Sequence, residues 1–354
     1  MIDEIFLNSF IPQAHFPRSV YFGSGSLDFL KKLSGEKVLF VISANAFKRQ
    51  DELIRSILGK AEFVTHSGEP KTEDREELRE RCRKNGSKYL AAIGGGSVID
   101  LVKIVKDDLK IQMIAVPTTI GSGAEVSRFA LLSDVRENKK IVVSSPRLLP
   151  EAALIDARFF LSHSKEQIAL HSIDALSHAV EALLSKMSNS FSDALALGAI
   201  RGIYDNLREF AAIRQPADGL KILEQLKLAA TLAGLAQSSA ATGLNHALAH
   251  YFGAKYDIPH ARAVAMFFLD VLEFNSRSGD VYKKFDKLKM ANSQNILPVF
   301  SGLYKELGLV FDPLPLKEEE VIFCAEAVRK DICALANPIR PGADEVAEII
   351  RRHI

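Results

Sequence analysis

The sequence predicts two domains of different class, an α/β domain on a parallel sheet and an all-helical domain, divided near residue 160. Three observations carry this. Up to about residue 156, short apolar runs with little alternation are separated by polar stretches of helical periodicity. That is the pattern of parallel strands covered on both faces. Beyond Asp156 the strand pattern ends, and Ala- and Leu-rich text at helical spacing follows from Ser164 onward. At 354 residues the chain is long enough to give each half its own core. The expected division is therefore 1–160 and 161–354.

Taken in order, residues 38–42, 62–65, 89–93 and 111–116 read as strands, and 51–58 and 72–83 as helices with charged faces. Segments 129–132 and 140–144, joined through 134–138, predict a hairpin appended to the sheet. Gly23-Ser24-Gly25 looks like half of a dinucleotide fingerprint, but it precedes any developed βαβ unit and reads as a turn. In the second half, 193–200 and 226–235 show the helical spacing most clearly. Pro338 and Pro341 lead into a last helix over 343–353. No internal repeat, low-complexity stretch or long linker interrupts this order.

Composition excludes several classes. The chain is 47% hydrophobic and 25% charged, with a net charge of +1. There is no dense basic stripe, so nucleic acid is not an expected partner. No apolar run reaches the roughly 18 residues of a membrane span, and no signal-like segment opens the chain. Neither a membrane partner nor export is expected. Cys82, Cys324 and Cys333 are scattered and odd in number, which fits a reducing cytoplasm rather than a disulfide framework, and as buried small hydrophobes they need no function.

Two clusters carry chemistry. Asp174 and His178 stand four apart on one face of a helix, as do His246 and His250, and a turn with Gly253 and Pro259 leads on to His260. One carboxylate and three imidazoles (Asp174, His178, His246, His260) suit a borderline divalent cation with a position left open for chemistry. In the first half, Gly94-Gly95-Gly96-Ser97 follows a predicted strand and opens a helix. Its amides can approach a phosphate, the helix N-terminus favours an anion, and Ser97 is placed to cap the helix. Pro117 to Glu125, with Thr118, Thr119 and Ser122, suits a dinucleotide crevice at the end of the next strand. A cleft between the halves would join the two chemistries.

Together these motifs resemble the iron-dependent (group III) alcohol dehydrogenase family over nearly the whole chain. Gly94 to Ser97 with Asp100 and Lys103 is similar to the family's pyrophosphate loop, and Pro117 to Ser127 to its second cofactor segment. Asp174-Ala-Leu-Ser-His178-Ala-Val-Glu181 is similar to its first two metal ligands, and His246 and His260 to the third and fourth. His250 corresponds to a histidine near the nicotinamide, and Asn337-Pro338-Ile339-Arg340-Pro341 also fits. The resemblance implies the dehydroquinate synthase-like fold, with a dinucleotide-binding domain before an all-helical metal domain. It also implies Fe2+ or Zn2+, NADP(H) or NAD(H), a small alcohol or aldehyde as substrate, and hydride transfer between them. His250 would relay a proton, pack against the cofactor or support a ligand; a homodimer is the assembly expected.

Departures bear on specificity. Where NAD-preferring members carry an acidic residue after the early strand, this chain has Ser43, with Lys48 and Arg49 close behind, which favours a 2′-phosphate unless those cations are simply solvated. The family's Pro-His-Gly is Pro259-His260-Ala261, followed by Arg262, which would favour an anionic substrate if it faces the cleft rather than water. Alternative readings are a maleylacetate-reductase-like or polyol dehydrogenase of the same superfamily, a lyase like dehydroquinate synthase, and a non-catalytic nucleotide-binding protein.

Overall fold

The computed structural model describes residues 14–33, 36–134 and 139–354. Its strands are β1 (Ser19–Phe22), β2 (Val38–Ser43), β3 (Phe63–His66), β4 (Tyr89–Gly94), β5 (Gln112–Pro117), β6 (Phe129–Asp134), β7 (Lys139–Ser144) and β8 (Ala152–Ile155). Six form one sheet in the order β1-β8-β5-β4-β2-β3, every neighbouring pair parallel. Phe40, Ile42, Ala91 and Ile93 enter the apolar core on one face, and Leu39, Val41, Leu90 and Ala92 the core on the other. Burial on both faces is why these strands lack alternation.

The helices α1 (Ala44–Arg49), α2 (Asp51–Leu58), α3 (Thr72–Asn85) and α4 (Gly96–Leu109) cover this sheet. Boundaries shift from expectation by one or two residues. Glycines stop two of them, Gly59 (φ 56°) after α2 and left-handed Gly86 (φ 62°) after α3. Strands β1 and β8 were not anticipated. Each has four residues, and Ala152–Ile155 is wholly buried, so neither presents a periodic pattern long enough to read. The hairpin is present as β6 paired antiparallel to β7; its joining residues 135–138 lie outside the described residues. Gly23 and Gly25 form the expected turn, with φ of 93° and 103°.

The remaining helices are α5 (Lys165–Leu184), α6 (Ser190–Ala212), α7 (Leu220–Ala240), α8 (Leu244–Tyr256), α9 (His260–Asn275), α10 (Ile296–Leu307), α11 (Glu318–Val328), α12 (Ile332–Ala336) and α13 (Ala343–Arg351). The last ends two residues before the expected His353, in a turn. Helix α5 starts in a capping box: Gln167 N donates to Ser164 Oγ at 3.1 Å, and Ser164 N to Gln167 Oε1 at 3.0 Å. From Ile173 to Leu184 it is buried on all sides, packed on α6, α7 and α9, and it is the rod on which the site is built.

The loop after β5 is fastened to α7. Glu125 and Lys227 form a fully buried ion pair at 2.7 Å; Thr231 Oγ1 donates to Glu125 Oε1 at 3.2 Å, and Lys227 Nζ to Ile120 O at 3.1 Å. Gly123, at φ 60°, lies so close to Gly234 that an added Cβ would sit 2.6 Å from the Gly234 Cα. A buried pair held this way specifies one register between sheet and helices more than it adds stability. No helix among the described residues is long and apolar enough to cross a membrane.

Candidate metal centre

Helix α5 presents Asp174 and His178 one turn apart; α8 presents His246 from its first turn, and His260 opens α9. The four meet. Asp174 Oδ1 lies 3.5 Å from His246 Nε2, 3.7 Å from His260 Nε2 and 3.9 Å from His178 Nε2. Around a cation bound at about 2.1 Å, tetrahedral neighbours would be about 3.4 Å apart. The cluster thus has nearly the spacing a cation requires. Asp174 Oδ1 and His246 Nε2 are buried yet have no hydrogen-bond partner, an arrangement that costs free energy unless something between them is bound. Asp174, His178 and His246 are buried, and His260 keeps 47% of its side chain open. The donor set fits a divalent cation approached from the cleft.

The ring electrostatics agree at His178 and His260, which are neutral, whereas His246 keeps a proton between two carboxylates. Burial pushes the His178 pKa down to about 3, so its imidazole is neutral and can offer a lone pair. For His246, burial is outweighed by the Glu181 and Asp174 carboxylates, which push it up to about 10. Glu181 Oε2 meets His246 Nδ1, while Oε1 accepts from Asn245 N at 2.9 Å and His246 N at 3.3 Å. One carboxylate therefore fixes the ring and the first turn of α8, leaving Nε2 for the cluster. Glu181 stood in the sequence motif with no role attached. Its position seven residues after Asp174 places it on the same face of the helix, the one signal that could have singled it out.

A cavity of about 770 Å³ extends from these residues to the glycine loops and is lined by both halves of the chain. Of the expected cofactor residues, Gly95, Gly96, Ser97, Asp100, Thr119 and Ser122 line it; Ser43, Gly94 and Thr118 do not. An added Cβ on Gly94 would strike Val98 Cβ at 2.6 Å, so this glycine is required for strand–helix packing. Thr118 is buried, its N bonded to Gly94 O at 2.9 Å. Ser43 ends β2 and caps α1, accepting from Ala46 N at 3.4 Å. Ser97 does not cap α4: the N-cap is Gly95, with no side-chain cap, and Ser97 lies inside the first turn. Asp100 is held by Leu131 N at 3.1 Å and Lys103 Nζ at 3.5 Å, which ties α4 to β6.

His250 lines the cavity, its ring stacked on His260 at 5.8 Å between centroids and its Nδ1 3.4 Å from Asp331 Oδ2. Arg262 faces away from the cavity, donating to Glu166 at 2.9 Å and Val310 O at 3.1 Å. Arg49 reaches His163 Nε2 at 3.4 Å, and Lys48 is exposed. Cys82 and Cys324 are buried in apolar cores; Cys333 is half-buried, packs against one of them and lines the cavity.

Residues 17–157 match the model for iron-containing alcohol dehydrogenase, and 168–354 that for the C-terminal part of the Fe-containing alcohol dehydrogenase family. The chain is 28% identical to an NADPH-dependent butanol dehydrogenase of Clostridium saccharobutylicum, over 94% of this chain and 95% of the relative. It is 32% identical to the probable alcohol dehydrogenase EutG of Escherichia coli (strain K12), over 88% of this chain and 86% of that one. Among solved structures, the iron-containing alcohol dehydrogenase of Thermococcus thioreducens superposes with a TM-score of 0.82 at 28% identity, covering 97% of this chain and 99% of that chain. The maleylacetate reductase of Agrobacterium tumefaciens shares the fold, with a TM-score of 0.84 at 20% identity over 98% of each chain. With both halves of the chain matched in order, the chain belongs to the iron-containing alcohol dehydrogenase family.

Proposed function

We propose that the protein is a metal-dependent, NAD(P)-linked alcohol dehydrogenase, or aldehyde reductase, acting on a small alcohol or aldehyde. The observation that carries this reading is the convergence of three Nε2 atoms on Asp174 Oδ1 in the same cavity as the glycine loop. Residues 1–160 would form the dinucleotide-binding half and 161–354 the metal-binding half. Asp174, His178, His246 and His260 would hold Fe2+ or Zn2+; the family name favours iron, and an oxygen-and-imidazole set accepts either. When bound, the cation would polarise the substrate oxygen and the nicotinamide would give or take the hydride.

The chain's own part is positioning. Gly95 and Gly96 let Thr119 and Ser122 close in on the start of α4, where the backbone amides would receive the pyrophosphate. Asp331 holds His250 by Nδ1, which leaves Nε2 to hold or pass the alcohol proton in the cavity. For the cofactor, NADP(H) is favoured over NAD(H). Ser43 adds no negative charge, its hydroxyl proton is still available to donate, and the butanol dehydrogenase relative is named as NADPH-dependent. Because Arg49 is engaged with His163, Lys48 is the better candidate to meet the 2′-phosphate.

Metal analysis of the purified protein, followed by a panel of short alcohols and aldehydes with both nicotinamides, tests the reading. Turnover that follows metal content is expected. Nucleotide binding with neither metal nor turnover would replace it with a non-catalytic binding protein.

A further inference from the structure

Arg128 follows the loop fastened to α7 and precedes β6, with its backbone N donating to Ser238 Oγ at 3.1 Å. It lines the cavity that holds the metal residues. Its Nε is buried without a hydrogen-bond partner, and among the described residues no carboxylate lies within 4.0 Å of its guanidinium. Its Cζ lies over the Phe129 ring, 5.4 Å from the centroid. A guanidinium stays charged at any physiological pH, and leaving it half-buried and unpaired is unfavourable.

The acids on the cavity wall do not answer it. Asp100 is taken by Lys103 and Leu131 N, Asp174 belongs to the metal cluster, and Glu69 accepts from Ser133. A second cation adds to the imbalance. Lys186 follows α5, is exposed, lines the same cavity and forms no ion pair among the described residues. The wall thus offers a planar fork of donors and an ammonium in the same cavity, with no carboxylate among the described residues in ion-pair contact with either. Uncharged alcohols would leave both unused. Oxyanions are what a guanidinium fork binds best, through two parallel hydrogen bonds.

We propose that the physiological substrate is a small aldehyde or alcohol whose far end carries an oxyanion (carboxylate, phosphonate or sulfonate), held by Arg128 with help from Lys186. This deepens the alcohol dehydrogenase reading and rests on it. Binding the charged end to Arg128 fixes the distance of the reacting carbon from the metal cluster, so length and charge are read together. The role imagined for Arg262, which faces Glu166 instead, falls to a cation 134 positions earlier in the chain.

The test compares length-matched aldehydes, one ending in methyl and the other in carboxylate, phosphonate or sulfonate, with metal-loaded protein and NADPH. At least one anionic member should show a kcat/KM about tenfold or more above its neutral match, mainly through KM and weakening with salt. Arg128→Met should lower that ratio about tenfold, and Arg128→Lys should restore part of it. A wild-type ratio of one or less for all three anions, or a ratio unchanged in Arg128→Met, overturns the proposal. So does an equal loss of NADPH affinity in Arg128→Met by fluorescence titration, which would give the arginine to the cofactor. If no aldehyde is turned over, the enzyme reading fails separately. The anion site is then judged by propanoate, ethylphosphonate and ethanesulfonate binding to the NADPH complex: binding lost in Arg128→Met supports it, and no binding refutes it.

Discussion

The proposed metal centre and the glycine crevice face one cavity but are built from opposite materials. Asp174, His178, His246 and His260 bring side-chain donors from three helices to one point. The crevice is built from what its residues lack: Gly95 and Gly96 have Thr119 and Ser122 within 3.2 Å of where a Cβ would stand. A side-chain site fails when a donor is removed, whereas a backbone site fails when an atom is added. The two should therefore respond independently to mutation, except where one touches the other.

The largest effect is expected at the donors. His246→Ala should lose most bound metal and more than about a hundredfold in turnover, since even outer partners of a metal cost roughly 10–100-fold. Metal content by elemental analysis and nicotinamide affinity by fluorescence would be read together. A metal-free variant with normal turnover defeats the assignment. Next comes Glu181→Gln, which removes the charge that holds His246 Nδ1 and keeps the volume. Metal affinity should fall about 10–100-fold with cofactor affinity little changed. A wild-type metal titration would show that Glu181 only caps α8.

The comparison can be broken at Gly121. It belongs to the crevice loop, yet an added Cβ would lie 2.6 Å from both Asp174 Oδ2 and His171 O. Gly121→Ala should therefore damage metal binding by about tenfold, from the opposite domain. Gly95→Val should weaken cofactor binding by about the same factor and spare the metal. Paired titrations of metal and NADPH decide this; identical behaviour of the two variants would mean that the loops act as one unit. The smallest expected effect is at Ser43, which lies outside the cavity wall. Ser43→Asp should move preference toward NAD(H) by roughly 1–2 kcal/mol, about tenfold, because partly exposed charges are screened. Steady-state kinetics showing no shift would place the adenosine end elsewhere.

Residue types and element types were legible in the sequence wherever the signal was local. Four-residue spacing put Asp174 with His178 and His246 with His250, and continuous apolar runs marked β2, β4 and β5. Strands β1 and β8 escaped because four residues are too few to show a period, at the exposed edge for β1 and in the buried interior for β8. Ser97 was misjudged because hydroxyl capping is a preference, and here the chain enters the helix two residues earlier, at Gly95.

The sequence by itself determined which candidate donors share a helix face and the division into a parallel-sheet half and a helical half. Both follow from rotation per residue along one element. Only the tertiary structure decided that Arg262 turns to Glu166 while Arg128 lines the cavity, that Glu181 holds His246, and that Gly121 lies against Asp174. Those contacts join residues 53 to 96 positions apart, and the wall that holds Arg128 gathers from much of the chain. Periodicity fixes which face of a helix is apolar. Which partner that face meets is set by packing against elements distant in sequence, where volume and hydrogen bonding must be satisfied at once.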